Sequence, residues 1–336
     1  MKKTLIALAA LGAIAGAHAQ SSVTLYGVAD AWLGSVKTET AGVGIRQTVI
    51  NTSGVNGSRW GLKGSEDLGG GLKAIFQLES GFSLDTGAPK TAGVLFDRQA
   101  FVGIQSGFGT VSLGRQYSAY DDLHGAVNHN FDAFTFSATS PVAANGLVDY
   151  TSRVSNSIKF QSANYSGFSA GVLYGLGENK TATADATNIG SLNLTYANGP
   201  FVVGYAYQEE KQPLVAGTQD KNKYNLIGGT YDFGVAKLNA SYNQAKNSVT
   251  KDKEYQVGVM VPFGAAAISA GYARSKSDTG AVSLTGKGFS LLGTYDMSKR
   301  TRLYVGAQQT KAFIGVAALT PETKITTYGL GVRHSF

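Results

Sequence analysis

Residues 153–161 read Arg153-Val154-Ser155-Asn156-Ser157-Ile158-Lys159-Phe160-Gln161. Arg153, Ser155, Ser157, Lys159 and Gln161 share one parity, Val154, Ile158 and Phe160 take the other, and Asn156 is the lone exception. Successive side chains of a strand point to opposite faces, so the segment predicts a strand with one wet and one apolar face. The pattern returns in Ser191, Asn193 and Thr195 against Leu192, Leu194 and Tyr196, and in Lys237, Asn239, Ser241 and Asn243 against Leu238, Ala240 and Tyr242. Aromatic residues end many apolar rows, among them Tyr174, Tyr196, Tyr207, Tyr242, Phe263, Tyr272 and Tyr295, the placement expected of interfacial girdles.

The connections between such segments alternate in length. Short glycine-rich turns fall at 67–71, 106–109, 163–167, 197–200, 232–234, 262–264 and 296–300. Longer polar segments lie near 35–56, 83–94, 118–150, 177–187, 210–221, 246–252, 277–285 and 312–324. These connections join sixteen strands, with short turns on one rim and long loops on the other. That layout predicts an all-β fold, a transmembrane antiparallel β-barrel of 16 strands wide enough for an aqueous lumen. A soluble all-β protein has no reason to segregate its connections this way.

Composition agrees. The chain holds 44 glycines, 17 tyrosines and 16 phenylalanines against 6 prolines, and its mean hydropathy is near zero. Lys2 and Lys3, the apolar run Leu5 to Ala15 and Ala17-His18-Ala19 predict a secretory leader over 1–19, cleaved near Ala19/Gln20, with the barrel domain over 20–336. That apolar run is well short of the roughly 20 residues a spanning helix needs. No later apolar stretch approaches that length, and only a closed barrel would then satisfy its backbone groups within a membrane. Removing the leader takes both lysines with it and lowers the net charge from +7 to about +5. No block of consecutive basic residues exists, so the excess argues for a mildly basic solute pathway and against nucleic acid. The absence of cysteine excludes disulfides and thiolate metal sites. Neither a cofactor nor a metal is implied.

The last strand alternates Tyr328, Leu330, Val332, His334 and Phe336 with Gly329, Gly331, Arg333 and Ser335, and so ends on an outward aromatic. Together with Ser22-Val23-Thr24-Leu25-Tyr26-Gly27, Ser58-Arg59-Trp60-Gly61-Leu62-Lys63-Gly64, Arg98-Gln99-Ala100-Phe101-Val102-Gly103 and Leu113-Gly114-Arg115-Gln116-Tyr117, this ending resembles the general porins of Gram-negative bacteria, of the β-proteobacterial type. The resemblance implies a multi-pass protein of the cell outer membrane, assembled as a homotrimer, with its third loop folded into the lumen to constrict the pore. It further implies that Phe336 is an assembly signal for the barrel assembly machinery, and that the partners are outer-membrane lipid, small hydrophilic solutes and inorganic anions.

The constriction can be argued residue by residue. The connection 118–150 contains Asp121, Asp122, Asp132 and Asp149 and no lysine or arginine, whereas nearby strands carry Arg59, Arg98 and Arg153. Arg59 shares parity with Lys63, and Arg153 leads the polar row quoted above; both should face the lumen. Arg98 shares parity with Ala100 and Val102, so its lumenal placement rests on the resemblance. Guanidinium stays charged among neighbouring cations, and an acidic loop facing it would set up a transverse field that aligns solutes. The alternative role for these arginines is to hold the third loop against the wall, and both roles can coexist. The Pro-Glu-Phe-Gly turn of enterobacterial relatives is absent here, where 129–136 reads His129-Asn130-Phe131-Asp132-Ala133-Phe134-Thr135-Phe136, so the resemblance does not say which aspartates line the eyelet.

Arg115 shares parity with Val111, Leu113 and Tyr117 and is expected at a subunit interface near the loop rim, or snorkelling into headgroups. An enzyme is the contrasting class. After the leader only His124, His129 and His334 remain, and none accompanies a G-x-S-x-G elbow or metal spacing. The expected function is a general diffusion porin that prefers anions. The alternatives are a solute-specific anion channel, revealed by saturable conductance, and an adhesin or structural anchor, revealed by none.

Overall fold

The computed structural model describes residues 22–127, 134–138, 149–215, 217–280, 282–314 and 322–336, so the leader, His129 and Asp132 lie outside the described residues. The strands are β1 (Ser22–Thr40), β2 (Val43–Thr52), β3 (Arg59–Gly69), β4 (Leu72–Gly81), β5 (Gln99–Ser106), β6 (Gly109–Tyr117), β7 (Arg153–Ser162), β8 (Phe168–Gly175) and β9 (Ile189–Asn198), followed by β10 (Phe201–Lys211), β11 (Lys221–Asp232), β12 (Lys237–Lys246), β13 (Thr250–Phe263), β14 (Ala266–Thr279), β15 (Val282–Asp296), β16 (Thr301–Ile314) and β17 (Thr323–Ser335). A helix, α1 (Ala119–Ala126), follows β6. Apart from β2 and β3, each strand pairs antiparallel with its sequence neighbour, and β1 pairs with β17 from Val28↔Ser335 to Thr40↔Thr323, which closes the sheet. Closure leaves no sheet edge with unpaired backbone groups to face lipid.

The seventeen segments make a sixteen-stranded barrel because β2 and β3 are two halves of one strand. β1 pairs with β3 through Ser22–Val28 and with β2 through Ala31–Thr40. Between the halves, residues 53–58 leave the ladder, and Ser53 turns at φ +63°. Their backbone donors are still met, since the buried Asp30 carboxylate accepts from the amides of Gly54, Val55 and Asn56 at 2.7–3.0 Å.

Alternation sorts the wall. Leu194, Val257, Leu291, Val305 and Leu330 are exposed on the outer face, while Ser191, Asn193, Gln208 and Gln256 are buried beneath lumenal side chains. Tyr242 stacks beside Tyr255 and Tyr272 beside Phe289, with centroids 4.9 and 4.8 Å apart, and Phe168 beside Tyr196 at 4.6 Å.

Two expectations need correcting. Three of the segments expected to be long loops are strand. β1 and β2 continue to a two-residue turn at Ala41 and Gly42, both at positive φ, and β12 to β13 and β14 to β15 likewise meet through short turns. Polar strand beyond the membrane has no apolar face, so it looks like loop in sequence. Second, the alternation of 153–161 is broken at Asn156, which adopts φ +52° where the β6–β7 register slips. Such a bulge shifts every later side chain to the other face. Val154 is therefore buried opposite Gln116, and the parity argument that sent Arg153 to the lumen with Ser157 fails.

Candidate functional site

Arg59 opens β3 opposite Val28 and Gly81, on the inner face. Its Nε lies 3.4 Å from Glu79 Oε2, and one terminal nitrogen donates to the Gly57 carbonyl at 2.9 Å. Arg98 precedes β5, so strand alternation does not govern it. Its Nε donates to Glu79 Oε1 at 2.6 Å and a terminal nitrogen to the Tyr117 hydroxyl at 2.8 Å. Arg153 pairs across the sheet with Tyr117, stacks its guanidinium 4.5 Å from that ring and donates to the same hydroxyl at 2.7 Å. The three arginines thus meet around one carboxylate and one phenol. Stacking and forked hydrogen bonding suit guanidinium and hold the like charges close.

The row extends both ways. Tyr26 donates to Glu79 Oε2 at 2.9 Å, and Lys63 places its Nζ 5.2 Å from the Tyr26 ring centre. Lys159 Nζ lies 2.5 Å from Asp122 Oδ2 and donates to the Tyr117 carbonyl at 2.9 Å. Five cations therefore stand against the carboxylates of Glu79, Asp97 and Asp122, which leaves the wall positive.

The opposite components come from the third loop. Ser118 caps α1 by accepting from the Asp121 amide at 3.1 Å, and Asp121 and Asp122 occupy its first turn, where the helix dipole favours anions. Tyr120, Leu123 and Val127 pack on Ala206, Tyr224, Leu226 and Ala245. These wall residues alternate with the exposed Tyr205 and Ile227, so the helix lies on the inner face. Tyr120 donates to Asn243 at 2.6 Å, and Asn193 donates to the Ala119 carbonyl at 2.6 Å. Gly204 and Gly228 make room for Leu123 and Val127, since a Cβ at either position would collide with them. Residues 134–138 meet the wall elsewhere. Thr135 donates through its amide to the Gly54 carbonyl at 2.9 Å and through its hydroxyl to Ser53 at 2.7 Å. Phe136 is fully buried against Trp32 and Tyr304 in a hollow left by Gly306, and Gln308 donates to the Ser137 carbonyl at 2.7 Å.

Burial of the loop against the inner wall raises the Asp122 carboxyl above the usual aspartate range, against the pull of Lys159, and lowers the His124 imidazole. The Asp121 carboxylate accepts from Tyr150 at 2.7 Å. Of the residues singled out in sequence, Arg59, Arg98, Arg153 and Lys63 belong to one connected row, Asp122 touches it through Lys159, and Asp121 is turned toward Tyr150. Glu79, Tyr117 and Lys159 were not singled out. Glu79 shares the inward face of Gln77 opposite Gly61, a signal that alternation carries. Arg115 satisfies itself within its own chain, donating to the Asp97 carbonyl at 2.7 Å and to Ser155 Oγ at 2.9 Å.

A closed antiparallel barrel with an apolar outer band, a wet inner face and a charged cluster under an inward segment defines a channel-forming outer-membrane β-barrel. The Gram-negative porin family matches residues 7–312, and the chain belongs to that family. It is 34% identical to an outer membrane porin protein of Bordetella pertussis over 392 residues, covering 100% of both chains. An anion-selective porin from Comamonas acidovorans superposes with a TM-score of 0.78 at 30% identity, covering 94% of this chain and 100% of that one. An in-vitro folded outer membrane protein of Vibrio cholerae in its trimer form matches with a TM-score of 0.69 at 16% identity, covering 94% and 99%, a likeness of fold alone. The chain is an outer-membrane porin.

Proposed function

We propose that the barrel gives passive, anion-preferring passage to small hydrophilic solutes, and that it is a channel rather than an enzyme. The observation that carries this is the convergence of Arg59 and Arg98 on the single carboxylate of Glu79, with Arg153 joined to Arg98 through the Tyr117 hydroxyl. An anion passing such a wall exchanges part of its hydration for fixed positive charge while water remains to solvate the rest. Asp122, and with it Asp121 of the third loop, form the acidic side of the constriction in this reading. The test is the zero-current potential across a potassium chloride gradient. Replacing all three arginines with serine should move it toward cation selectivity, most strongly in dilute salt, because a fixed charge acts within a Debye length of about 8 Å at physiological ionic strength. Lysine replacements should keep much of the original sign. An unchanged potential in a correctly folded triple variant would place selectivity elsewhere.

The leader is removed near Ala19 in this reading, and the mature chain assembles as a trimer with Arg115 at the subunit contact. Arg115→Glu should then lower the temperature at which the oligomer dissociates while leaving the barrel folded. Dissociation at the parent's temperature would leave Arg115 only its hydrogen bonds to Asp97 and Ser155 within the chain.

A further inference from the structure

The segment Ser53 to Ser58, which leaves the ladder between β2 and β3, touches both sides of the constriction. At one end, the Ser53 carbonyl accepts from the Thr135 hydroxyl at 2.7 Å and the Gly54 carbonyl from the Thr135 amide at 2.9 Å. At the other end, the Gly57 carbonyl accepts from Arg59 at 2.9 Å, and a Cβ on Gly57 would stand 3.3 Å from a terminal nitrogen of Arg98. The position of this one segment therefore sets the third loop and the arginines relative to each other.

Off the ladder, the segment takes its position from other bonds, and these converge on one residue of β1. Asp30 is fully buried on the inner face, between Val28 and Trp32. One carboxylate oxygen accepts from the Gly54 amide at 2.9 Å, the other from the amides of Val55 and Asn56 at 3.0 and 2.7 Å. The backbone of Asp30 ties both ends of the segment, its carbonyl accepting from the Ser53 amide at 2.9 Å and its amide donating to Ser58 Oγ at 3.1 Å. Tyr304 donates to the same carboxylate at 2.5 Å, and its ring borders Phe136 with centroids 6.1 Å apart. Successive amides form a concavity suited to an anion, and hydrogen bonds to a charged acceptor are about twice as strong as neutral ones. Here the chain's own carboxylate fills that concavity.

We propose that Asp30 is a positioning residue of the constriction, fixing the 53–58 segment and through it both the placement of Arg59 and the seat of the third loop. This role rests on the reading that the arginine row gives the pore its anion preference. Asp30 is itself covered and acts through the carbonyls of Ser53, Gly54 and Gly57.

The sign of the effect separates this role from plain electrostatics. Asp30→Asn deletes a negative charge from the inner wall, which by Coulomb interaction alone would favour anions. Asparagine offers one acceptor oxygen where the carboxylate offered two, so at least one of the four donors around it is left unmet. Anion preference should instead fall, because Arg59 and the loop both lose their fixed support.

Two readouts on the folded barrel test this. In Asp30→Asn, hydrogen exchange should run about tenfold faster than in the parent in peptides spanning 53–58 and 134–138, the scale of one buried donor deprived of its partner. Exchange in β12 to β15 should stay at the parent's rate. The zero-current potential across a potassium chloride gradient should move toward cation selectivity, and Asp30→Asn should shift it less in an Arg59→Ser background than in the parent. Faster exchange confined to 53–58, or a potential that moves toward anions, overturns the proposal. If Arg59→Ser alone leaves the potential at the parent's value, the selectivity reading fails by itself and the exchange result decides for Asp30. Should Asp30→Asn lack the heat-modifiable mobility of a folded barrel, Tyr304→Phe takes its place, removing one donor and keeping the carboxylate. It should speed exchange in the same two peptides to a smaller extent, and parental exchange in both overturns the proposal.

Discussion

Asp122 meets two opposing influences. Burial of the loop against the inner wall raises its carboxyl, while Lys159 at 2.5 Å favours the charged form, and burial prevails. As pH falls, Asp122 therefore takes up its proton before an exposed aspartate would, and Lys159 is then left uncompensated beside the arginine row. Anion preference should rise as pH drops through the region just above the ordinary aspartate range. Asp122→Asn should show the higher preference already at neutral pH and lose that step, which a pH series of reversal potentials would reveal. A variant that kept the parent's step would assign it to another carboxylate. The sign for stability is equally defined. A raised carboxyl means that ionisation is disfavoured in the folded loop, so mild acid removes a cost and leaves the docked helix no weaker. The arginines themselves were legible through the motifs that carry the family resemblance. Glu79 and Tyr117 were not, because they join the cluster through contacts across strands and not through any local pattern.

At the scale of elements, the third loop is held at two places on the inner wall, by α1 over Gly204 and Gly228 and by Phe136 over Gly306. Phe136→Ala removes the larger part of the second hold, about 3 kcal/mol of packing for a buried ring. The expected result is larger single-channel current with more frequent current fluctuations, while the barrel remains heat-modifiable. Gly306→Val should reproduce this by filling the hollow from the wall side, and the two changes together should add little to either alone. Independent, additive effects would show that the ring and the hollow do not act as one hold. The barrel strands were legible wherever a strand has lipid on one side and water on the other, since that contrast writes the period of two. It fades where both sides are wet, which is why the extensions meeting at Ala41 and Gly42 looked like loop. The bulge at Asn156 left a trace as the one residue out of step, yet the pattern alone does not say whether such a residue is an exception or a shift of face.

For the whole molecule, the last residue completes the wall. Phe336 exchanges backbone hydrogen bonds with Gly27, each 3.1 Å, and its ring lies over that glycine, where a Cβ would collide with it. Phe336→Ala should lower the amount of heat-modifiable protein in outer membranes, and Gly27→Val should do the same with Phe336 intact. Parent levels in both variants would mean that the closing contact is dispensable for assembly.

The pairing of β1 with β17 has a further consequence in time. The two strands that seal the cylinder stand at opposite ends of the chain, from Val28 against Ser335 upward. Every other seam joins neighbours in sequence and can form as each hairpin is made. The final seam must wait for the C-terminal strand, and it closes the longest chain segment in the molecule, so it carries the largest loss of chain entropy. A sheet whose two ends have not met has two free edges, each able to recruit a strand from another copy. The period of greatest danger for this chain is therefore the interval between release of its last strand and the meeting of its two ends.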